Sequence, residues 1–335
     1  MTRKQHIFAA ALAVCLSSFT LAQPGTPAAP SPPLNPVALR QRAVEVLVRA
    51  AVGENPALRS NAIEGMMSVP ERALPVTQRG LSDRNPGVRF AAVVAAAMQR
   101  LKSLVPAIEP LLHDADASVR AAALYGLHTL GRKVDITPMA DMLQSQDPRL
   151  RANVALLLGL MGDETAAPML RRAAASPMPR VSAAQVAVVR IQIAEAIAKL
   201  GADDALDALR AGAFSQFDEV RVLAVTALGA VGDRRSEIML EQLLRDPPVE
   251  LQLATAAALA RMGSAKGREA ALKHAAAENP VLRGQVAWSL GWFDDPATLA
   301  ILERLMGDSD AMVRVAAAAA VVRRGGAAVG AGAAR

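Results

Sequence analysis

One short phrase of hydrophobic and polar positions recurs along the chain, an aliphatic residue followed by arginine inside a stretch of helical periodicity. It stands at Leu58-Arg59, Val88-Arg89, Val119-Arg120, Leu150-Arg151, Val189-Arg190, Val220-Arg221, Leu282-Arg283 and Val313-Arg314. Leu251-Gln252 completes the series with glutamine in the arginine's place. The steps are 30, 31, 31, 39, 31, 31, 31 and 31 residues, so one unit repeats nine times with a single eight-residue insertion. A fixed period of this length is typical of a helical-repeat solenoid.

Each unit carries the signals that begin and end a helix. N-capping residues stand four places before the arginine at Asn55, Asn85, Asp116, Asp147, Asn279 and Asp310, and proline follows four of them, where a missing N–H has no helical partner to lose. Glycine stands eleven places after the arginine or glutamine at Gly131, Gly162, Gly201, Gly232, Gly263 and Gly325, as a left-handed C-cap requires. A second helix lies before each cap, as in residues 104–113. Nine helical hairpins are predicted.

The pattern therefore predicts an all-α protein, a right-handed α-solenoid of about nine two-helix repeats over residues 37–324. The insertion at about 174–182 is expected to form a bent surface loop, with Ser182 and Gln185 spaced as a capping box. Local irregularity is expected in the fifth to seventh units, which carry Val186, Phe217 and Pro248 at the cap position. Residues 23–36 read as a Pro/Ala-rich linker and residues 325–335 as a flexible tail.

Composition supports thin helical layers over one large core. Apolar residues make up 52% of the chain, with alanine the largest component, and aromatic residues only 3%. Helices that pack closely in repeats need small and aliphatic side chains more than bulky aromatic ones.

The first residues read as an export signal. A basic start at Arg3 and Lys4, an apolar body and the small residues Thr20 and Ala22 predict a signal peptide over residues 1–22 and a periplasmic or extracellular protein. An uncleaved anchor and a lipoprotein modified at Cys15 are the alternatives, and only these would bring membrane contact. Cleavage would remove two basic residues from a net charge of +6 and the only cysteine. The remaining mild basicity weakly favours an anionic partner, whereas export argues against nucleic acid.

The Asp-x-x-x-Arg phrase with its preceding aliphatic residue, Ala-rich helix and closing glycine resembles the HEAT family, in the 31-residue form named after phycobilisome lyases, over residues 37–326. The resemblance implies that the arginine-bearing helix lines the concave side of a superhelix. It also implies that Asp and Arg of neighbouring units form a ladder, which Gln252 would interrupt. Members of the family include scaffolds, bilin lyases, an iron-dependent hydroxylase and DNA-repair enzymes, so the fold does not fix the function.

The chain shows no recognisable catalytic pattern. His113, His128 and His274 are not spaced as metal ligands, and the His-Glu pairs that the resemblance would require of a hydroxylase are missing. Asp114-x-Asp116 and Asp308-x-Asp310 lack the glycine and glutamate of a calcium loop and read as turn and cap residues. The sequence predicts no catalytic residue, no metal and no cofactor, and leaves open an active site assembled from distant repeats.

Helical phase separates framework from surface. Counted from the arginine or Gln252, positions −1, +3, +7 and +10 fall on one arc and carry mostly aliphatic residues, alanine and glycine, so the arc centred on +5 and +9 is expected to form the exposed floor of a groove. Large apolar residues on that arc indicate a partner surface. The candidate binding residues are Val94, Met98, Tyr125, Leu156, Leu160, Glu195, Lys199, Arg261, Trp288, Trp292 and Arg323.

Trp288 and Trp292 are the best candidate anchor, because they are the only tryptophans and lie one turn apart. Arg261 and Arg323 occupy +9 in the flanking units, so a peptide or carboxylate lying across them would meet aromatic faces between positive charges. The alternative is that curvature packs the two tryptophans against the ninth unit or the tail.

The function favoured by the sequence is a non-catalytic scaffold that binds a protein or peptide in its concave groove. One alternative is an enzyme or enzyme accessory related to the bilin lyases, which would need a small-molecule pocket. The other is a nucleic-acid-binding protein, which would require that the chain is not exported.

Overall fold

The computed structural model describes residues 35–332, and for residues 325–332 the backbone alone. Throughout this range the regular structure is helical, as predicted, with no β-strand. The signal peptide predicted for residues 1–22 and most of the predicted linker lie outside the described residues. Within residues 35–332, no helix is both long enough and apolar enough to cross a membrane.

Each unit contributes an outer and an inner helix, and the inner helix carries the arginine phrase. The outer helices are α1 (Pro36–Ala50), α3 (Pro70–Leu81), α5 (Val105–Ile108), α7 (Pro138–Met142), α9 (Ala167–Ala175), α11 (Asp204–Gly212), α13 (Glu237–Leu243), α15 (Arg268–Lys273) and α17 (Pro296–Leu305). The inner helices are α2 (Pro56–Met66), α4 (Pro86–Met98), α6 (Ala117–Thr129), α8 (Pro148–Met161), α10 (Ala183–Lys199), α12 (Asp218–Val231), α14 (Val249–Arg261), α16 (Pro280–Leu290) and α18 (Ala311–Gly332). Several outer helices are short and are extended by 3-10 turns, as on both sides of α5.

The predicted caps are confirmed in most units. Side-chain oxygens of the cap residues accept backbone N–H groups of the first turn at Asn55, Asn85, Asp116, Asp147, Asn279 and Asp310. Positive φ values, between 72° and 91°, occur at Gly131, Gly162, Gly201, Gly232 and Gly263. Of the predicted capping box of the insertion, the N-cap half is confirmed, since Ser182 Oγ accepts from Gln185 N at 3.3 Å. The Gln185 side chain instead accepts from Ser182 Oγ at 3.2 Å.

The helix end predicted at Gly325 is wrong, because α18 continues to Gly332. The alanines beyond Gly325 have high helix propensity and favour continued helix through this position.

The expected ladder uses a different aspartate from the one that caps the helix. Arg59 forms two hydrogen bonds of 2.7 Å with Asp83 of the next unit, and its Nη1 donates to the Gly53 and Glu54 carbonyls. Asp83 also accepts from Asn85 N at 2.8 Å. Burial alone would raise the pKa of Asp83, but the hydrogen bonds from Arg59 and Asn85 outweigh it and lower the pKa. The arrangement recurs at Arg89–Asp114 and Arg283–Asp308, so each rung joins two units and orders the turn before the next inner helix.

The inner helices lie side by side in register. Each inner helix contacts the next one along the chain, whereas the outer helices mainly contact the inner helices on either side of them and make few contacts with one another. Small residues allow the close approach, since a Cβ added at Gly229 would lie 2.5 Å from Ala258 Cα. A Cβ added at Gly291 would lie 2.7 Å from Ala320 Cβ. Because the inner row is packed tightly and the outer row is spread, the stack curves strongly.

The curvature brings the two ends of the stack together. The last inner helix, α18, contacts both α1 and α2. Arg40 Nη1 donates to the Val322 carbonyl oxygen at 3.0 Å, and Arg42 forms an ion pair with Glu303. A Cβ at Gly65 would lie 3.1 Å from Ala319 Cβ, so α2 and α18 pack as closely as sequential neighbours. The stack of repeats is therefore a closed ring, and the expected open groove is replaced by an enclosed inner surface.

Candidate binding site

The predicted exposure of the +5 positions is wrong for three candidate residues. Val94 and Tyr125 are each 2% exposed, and Glu195 is 6% exposed. Helical phase correctly points these side chains away from their own outer helix, but ring closure surrounds them with the neighbouring inner helices. Burial raises the pKa of the Tyr125 phenol to about 12, although a hydrogen bond with Thr129 acts in the opposite direction.

The other eight candidate residues are partly exposed: Met98, Leu156, Leu160, Lys199, Arg261, Trp288, Trp292 and Arg323. Six of them occupy +9, towards the carboxyl ends of the inner helices. Because those helices are in register, the accessible part of the inner surface is concentrated at that level of the ring.

Trp292 is held between two arginines of neighbouring units. Arg261 Cζ, from α14, lies 4.6 Å from the centroid of the indole, and Arg323 Cζ, from α18, lies 4.4 Å from it. Trp288 meets Trp292 edge to face, with centroids 6.3 Å apart and planes at 78°. We call Arg261, Trp288, Trp292 and Arg323 the arginine–tryptophan cluster. The four residues meet as the sequence predicted, and the contact of Trp292 with Arg323 also packs it against the ninth unit.

Positive charge in this cluster is poorly solvated. Burial lowers the pKa of the Arg261 guanidinium to about 10, against an opposing effect of Glu195. Burial, together with the nearby charge of Arg261, lowers the pKa of Arg323 to about 10. The buried Nε1 of Trp292 and Nη1 of Arg323 have no hydrogen-bond partner among the described residues.

Glu195 and Lys199 form an ion pair of 2.5 Å, one turn apart on α10. Together with Leu156 they line a small cavity of about 70 Å³. Phe90, Asn153 and Gln192 also line this cavity and are not among the candidate residues from the sequence. They occupy +1 and +2, which helical phase places within about 60° of +5, so a wider arc would have found them.

Glu64 is a further residue of interest that is not among the candidate residues from the sequence. It occupies +5 in the first unit, on α2 beside the closing helix α18. Burial raises the pKa of its carboxyl to about 7, so this side chain titrates near neutral pH.

The described residues contain no group of three or more His, Cys, Asp or Glu side chains that could hold a metal ion. An open cleft of about 570 Å³ lies away from the candidate residues, beside His128, Arg132, Lys133 and Asp135. Arg132 there is paired with Glu109 at 2.7 Å.

Comparison with solved structures finds other helical proteins at low similarity. Human deoxyhypusine hydroxylase in complex with glycerol shares 19% identity over 77% of this chain and 97% of its own, with a TM-score of 0.38. The CpcE–CpcF complex of phycocyanin lyase from Nostoc sp. PCC7120 shares 22% identity over 73% and 91%, with a TM-score of 0.40. Kap121p shares 17% identity over 85% of this chain, which spans only 37% of Kap121p, with a TM-score of 0.37. At such identities and TM-scores, none of the three supports an inference about function.

No curated protein matches the chain. The family profile described as HEAT repeats matches it in four overlapping segments, at residues 43–128, 105–188, 186–249 and 236–322. Together these segments cover residues 43–322, which is most of the chain and includes every arginine phrase from Leu58-Arg59 to Val313-Arg314. The chain belongs to the HEAT-repeat family.

Proposed function

We propose that this protein is a non-catalytic scaffold that holds a protein or peptide partner on the inner surface of its ring. The arginine–tryptophan cluster carries the proposal. Tryptophan and arginine are the residues most often found as binding hot spots, because they combine a large apolar area with directional polar contacts. Here two of each meet, partly exposed, on a surface contributed by three successive units.

The enclosed geometry favours an extended partner. Inner helices that pack directly against one another leave a restricted centre, which suits a peptide segment or terminus better than the face of a globular domain. The partner would contact the +9 row, where Met98, Leu160 and Lys199 continue the surface away from the cluster. Val94, Tyr125 and Glu195 would support this surface from beneath and would not touch the partner.

We further propose that the units are of the phycobilisome-lyase HEAT-like type and that the chain is exported after cleavage behind Ala22. The period of 31 residues and the basic, apolar and small-residue order of residues 1–22 support these two points. Mass spectrometry of the protein from its native host tests the second. A mature chain that begins at Gln23 is expected, and a chain that retains Met1 or carries lipid on Cys15 would contradict it.

Partner capture tests the scaffold. Immobilised full-length protein is exposed to the exported proteins of its host, and the retained proteins are identified for wild type and for Trp288→Ala/Trp292→Ala. The control is Phe214→Ala/Ile238→Ala, which truncates two large exposed apolar side chains, one in the turn after α11 and one on α13. A partner lost by the tryptophan variant and kept by the control is expected, with a loss of affinity of more than roughly tenfold per anchor.

Circular dichroism melting of both variants separates lost binding from lost folding. A partner that the folded tryptophan variant retains at wild-type affinity, or that only the control loses, would place the binding surface outside the ring.

A further inference from the structure

We propose that Arg261, Trp292 and Arg323 form a site for a carboxylate attached to an apolar body. The proposal rests on the proposed function, since it names the chemical group that the partner presents: a peptide C-terminus or an acidic side chain beside an apolar one. The same chemistry describes a free aromatic or aliphatic carboxylic acid.

The first support is the placement of two like charges on one ring. Each guanidinium is attracted to the negative face of the indole, and the distances of 4.6 and 4.4 Å are within cation–π range. The two cations nevertheless repel each other across the ring, and both lie where burial disfavours charge. A buried charge is normally compensated by an opposite charge, and the neighbouring charge that acts on Arg323 is positive, so this side of the ring favours the arrival of an anion.

The second support is a pair of hydrogen-bond donors that have no acceptor among the described residues. Trp292 Nε1 and Arg323 Nη1 are buried, and no acceptor meets either of them among the described residues. Buried donors in folded proteins almost always have a partner. An acceptor that enters the cluster with a small shift of the two side chains would satisfy both.

Among the described residues, no carboxylate contributes to the electrostatics of Arg323. Glu195 acts on Arg261, but its carboxylate is already engaged by Lys199 at 2.5 Å. The neighbouring charge that acts on Arg323 is Arg261, which is of the same sign. An added negative charge would therefore be stabilised most next to Arg323, the arginine of the ninth unit.

The surroundings favour a carboxylate over a phosphate. A guanidinium and a carboxylate are both planar and can form two parallel hydrogen bonds. Trp288 stands edge-on to Trp292 and adds an apolar wall, which suits a ligand with a hydrocarbon or aromatic body next to its charge. A phosphate dianion would bring a second negative charge towards Glu195 without gaining from that wall.

Titration of the full chain with small probes tests the site without any protein partner. Benzoate, acetate, inorganic phosphate and chloride are compared at constant ionic strength by calorimetry and by Trp fluorescence. Benzoate is expected to bind saturably and more tightly than acetate, phosphate to bind more weakly than benzoate, and chloride to have no saturable effect. Tighter binding of phosphate, or equal responses to benzoate and chloride, would overturn the proposal.

Arg323→Met removes the charge and keeps most of the side-chain volume, and it is expected to weaken benzoate binding at least tenfold. Arg235→Met is the matched control, because Arg235 is exposed and remote from the cluster in the sequence. Arg323→Lys provides the second variant if the methionine variant does not fold. It keeps the charge but loses the planar pair of donors, so an intermediate affinity is expected, and wild-type affinity in Arg323→Lys or Arg323→Met would contradict the assignment.

The two proposals can fail separately. Benzoate binding without any captured partner would contradict the proposed scaffold function and support the carboxylate site. A captured protein whose binding is unaffected by benzoate and by Arg323→Met would support the scaffold function and contradict the carboxylate site.

Discussion

Two parts of the inner surface occupy the same helical positions and are built from opposite chemistry. In the second to fourth units, positions +5 and +9 hold an apolar sector, which we define as Val94, Met98, Tyr125, Leu156 and Leu160. In the seventh to ninth units the same positions hold the arginine–tryptophan cluster. The packing of the helix backbones is similar in the two parts. In each, a glycine of one inner helix lies against an alanine of the next, at Gly159–Ala196 and at Gly291–Ala320.

The two parts differ in how many of their buried polar and charged groups have a partner. Tyr125 and Val94 are buried among apolar neighbours, so their contribution is to the stability of the ring. The cluster contains buried charge and donors with no acceptor in the described residues, so it sacrifices stability that a ligand could restore. A repeat framework thus lets one sector stabilise the ring while another is kept for binding.

The largest expected effect is on the apolar sector. Tyr125→Ala removes a buried aromatic side chain and leaves a cavity, which typically lowers the free energy of unfolding by ~3–5 kcal/mol. Denaturation by guanidinium chloride, followed by circular dichroism, measures it. Thr129→Ala is the control, because Thr129 is exposed and contributes mainly its hydrogen bond with Tyr125. That change is expected to lower the free energy of unfolding by less than ~1.5 kcal/mol.

The comparison breaks if the order is reversed. A loss below ~1 kcal/mol for Tyr125→Ala would mean that the apolar sector is a solvated surface like the one first expected from the sequence.

Local features of the units were predictable because they depend on residues a few positions apart. Asn55 and Asp147 cap their helices with their own side chains, Gly162 and Gly232 adopt left-handed backbone conformations, and Ser182 caps the helix after the insertion. Each of these signals acts within one turn of helix, so the sequence alone carries it.

Ring closure was not predictable because it sums small rotations over nine units. The curvature depends on sub-ångström details of contacts such as Gly229 against Ala258, and an error at each contact accumulates around the stack. Helical phase predicts the direction of the Tyr125 side chain relative to its own helix. It does not predict whether atoms of other helices fill the space in that direction. The ladder aspartates did leave a signal, since Asp83, Asp114 and Asp308 all stand six residues before an arginine of the repeat.

A smaller effect is expected at Glu64, which lies between the two sectors in ring order. Its folded-state pKa of about 7 is above the ordinary value of 4.5, so the folded protein holds this proton more tightly than the unfolded chain. The resulting stabilisation is complete below about pH 4.5 and is lost as the pH rises through 7. Glu64→Gln should therefore raise the free energy of unfolding at pH 8 by ~1–3 kcal/mol and flatten its pH dependence between 5 and 8.

Guanidinium denaturation at pH 5 and pH 8 measures the difference between wild type and Glu64→Gln. Glu54→Gln is the control, because Glu54 is exposed. A wild-type advantage at pH 8 would show that the ionised Glu64 carboxylate stabilises the ring, in conflict with its burial.

The smallest expected effect distinguishes the electrostatic character of the two sectors directly. Trp288→Phe leaves Trp292 as the only tryptophan, held between Arg261 and Arg323. Since both flanking groups are cationic, iodide should quench its fluorescence roughly twofold more efficiently than caesium at equal ionic strength. Adding Arg323→Met should remove most of that preference.

The matched reporter for the apolar sector is Met98→Trp in a Trp288→Phe/Trp292→Phe background, which places one tryptophan at the same +9 position. That reporter should be quenched about equally by both ions, and an equal preference for iodide at both positions would attribute the effect to the net charge of the whole protein and not to the cluster.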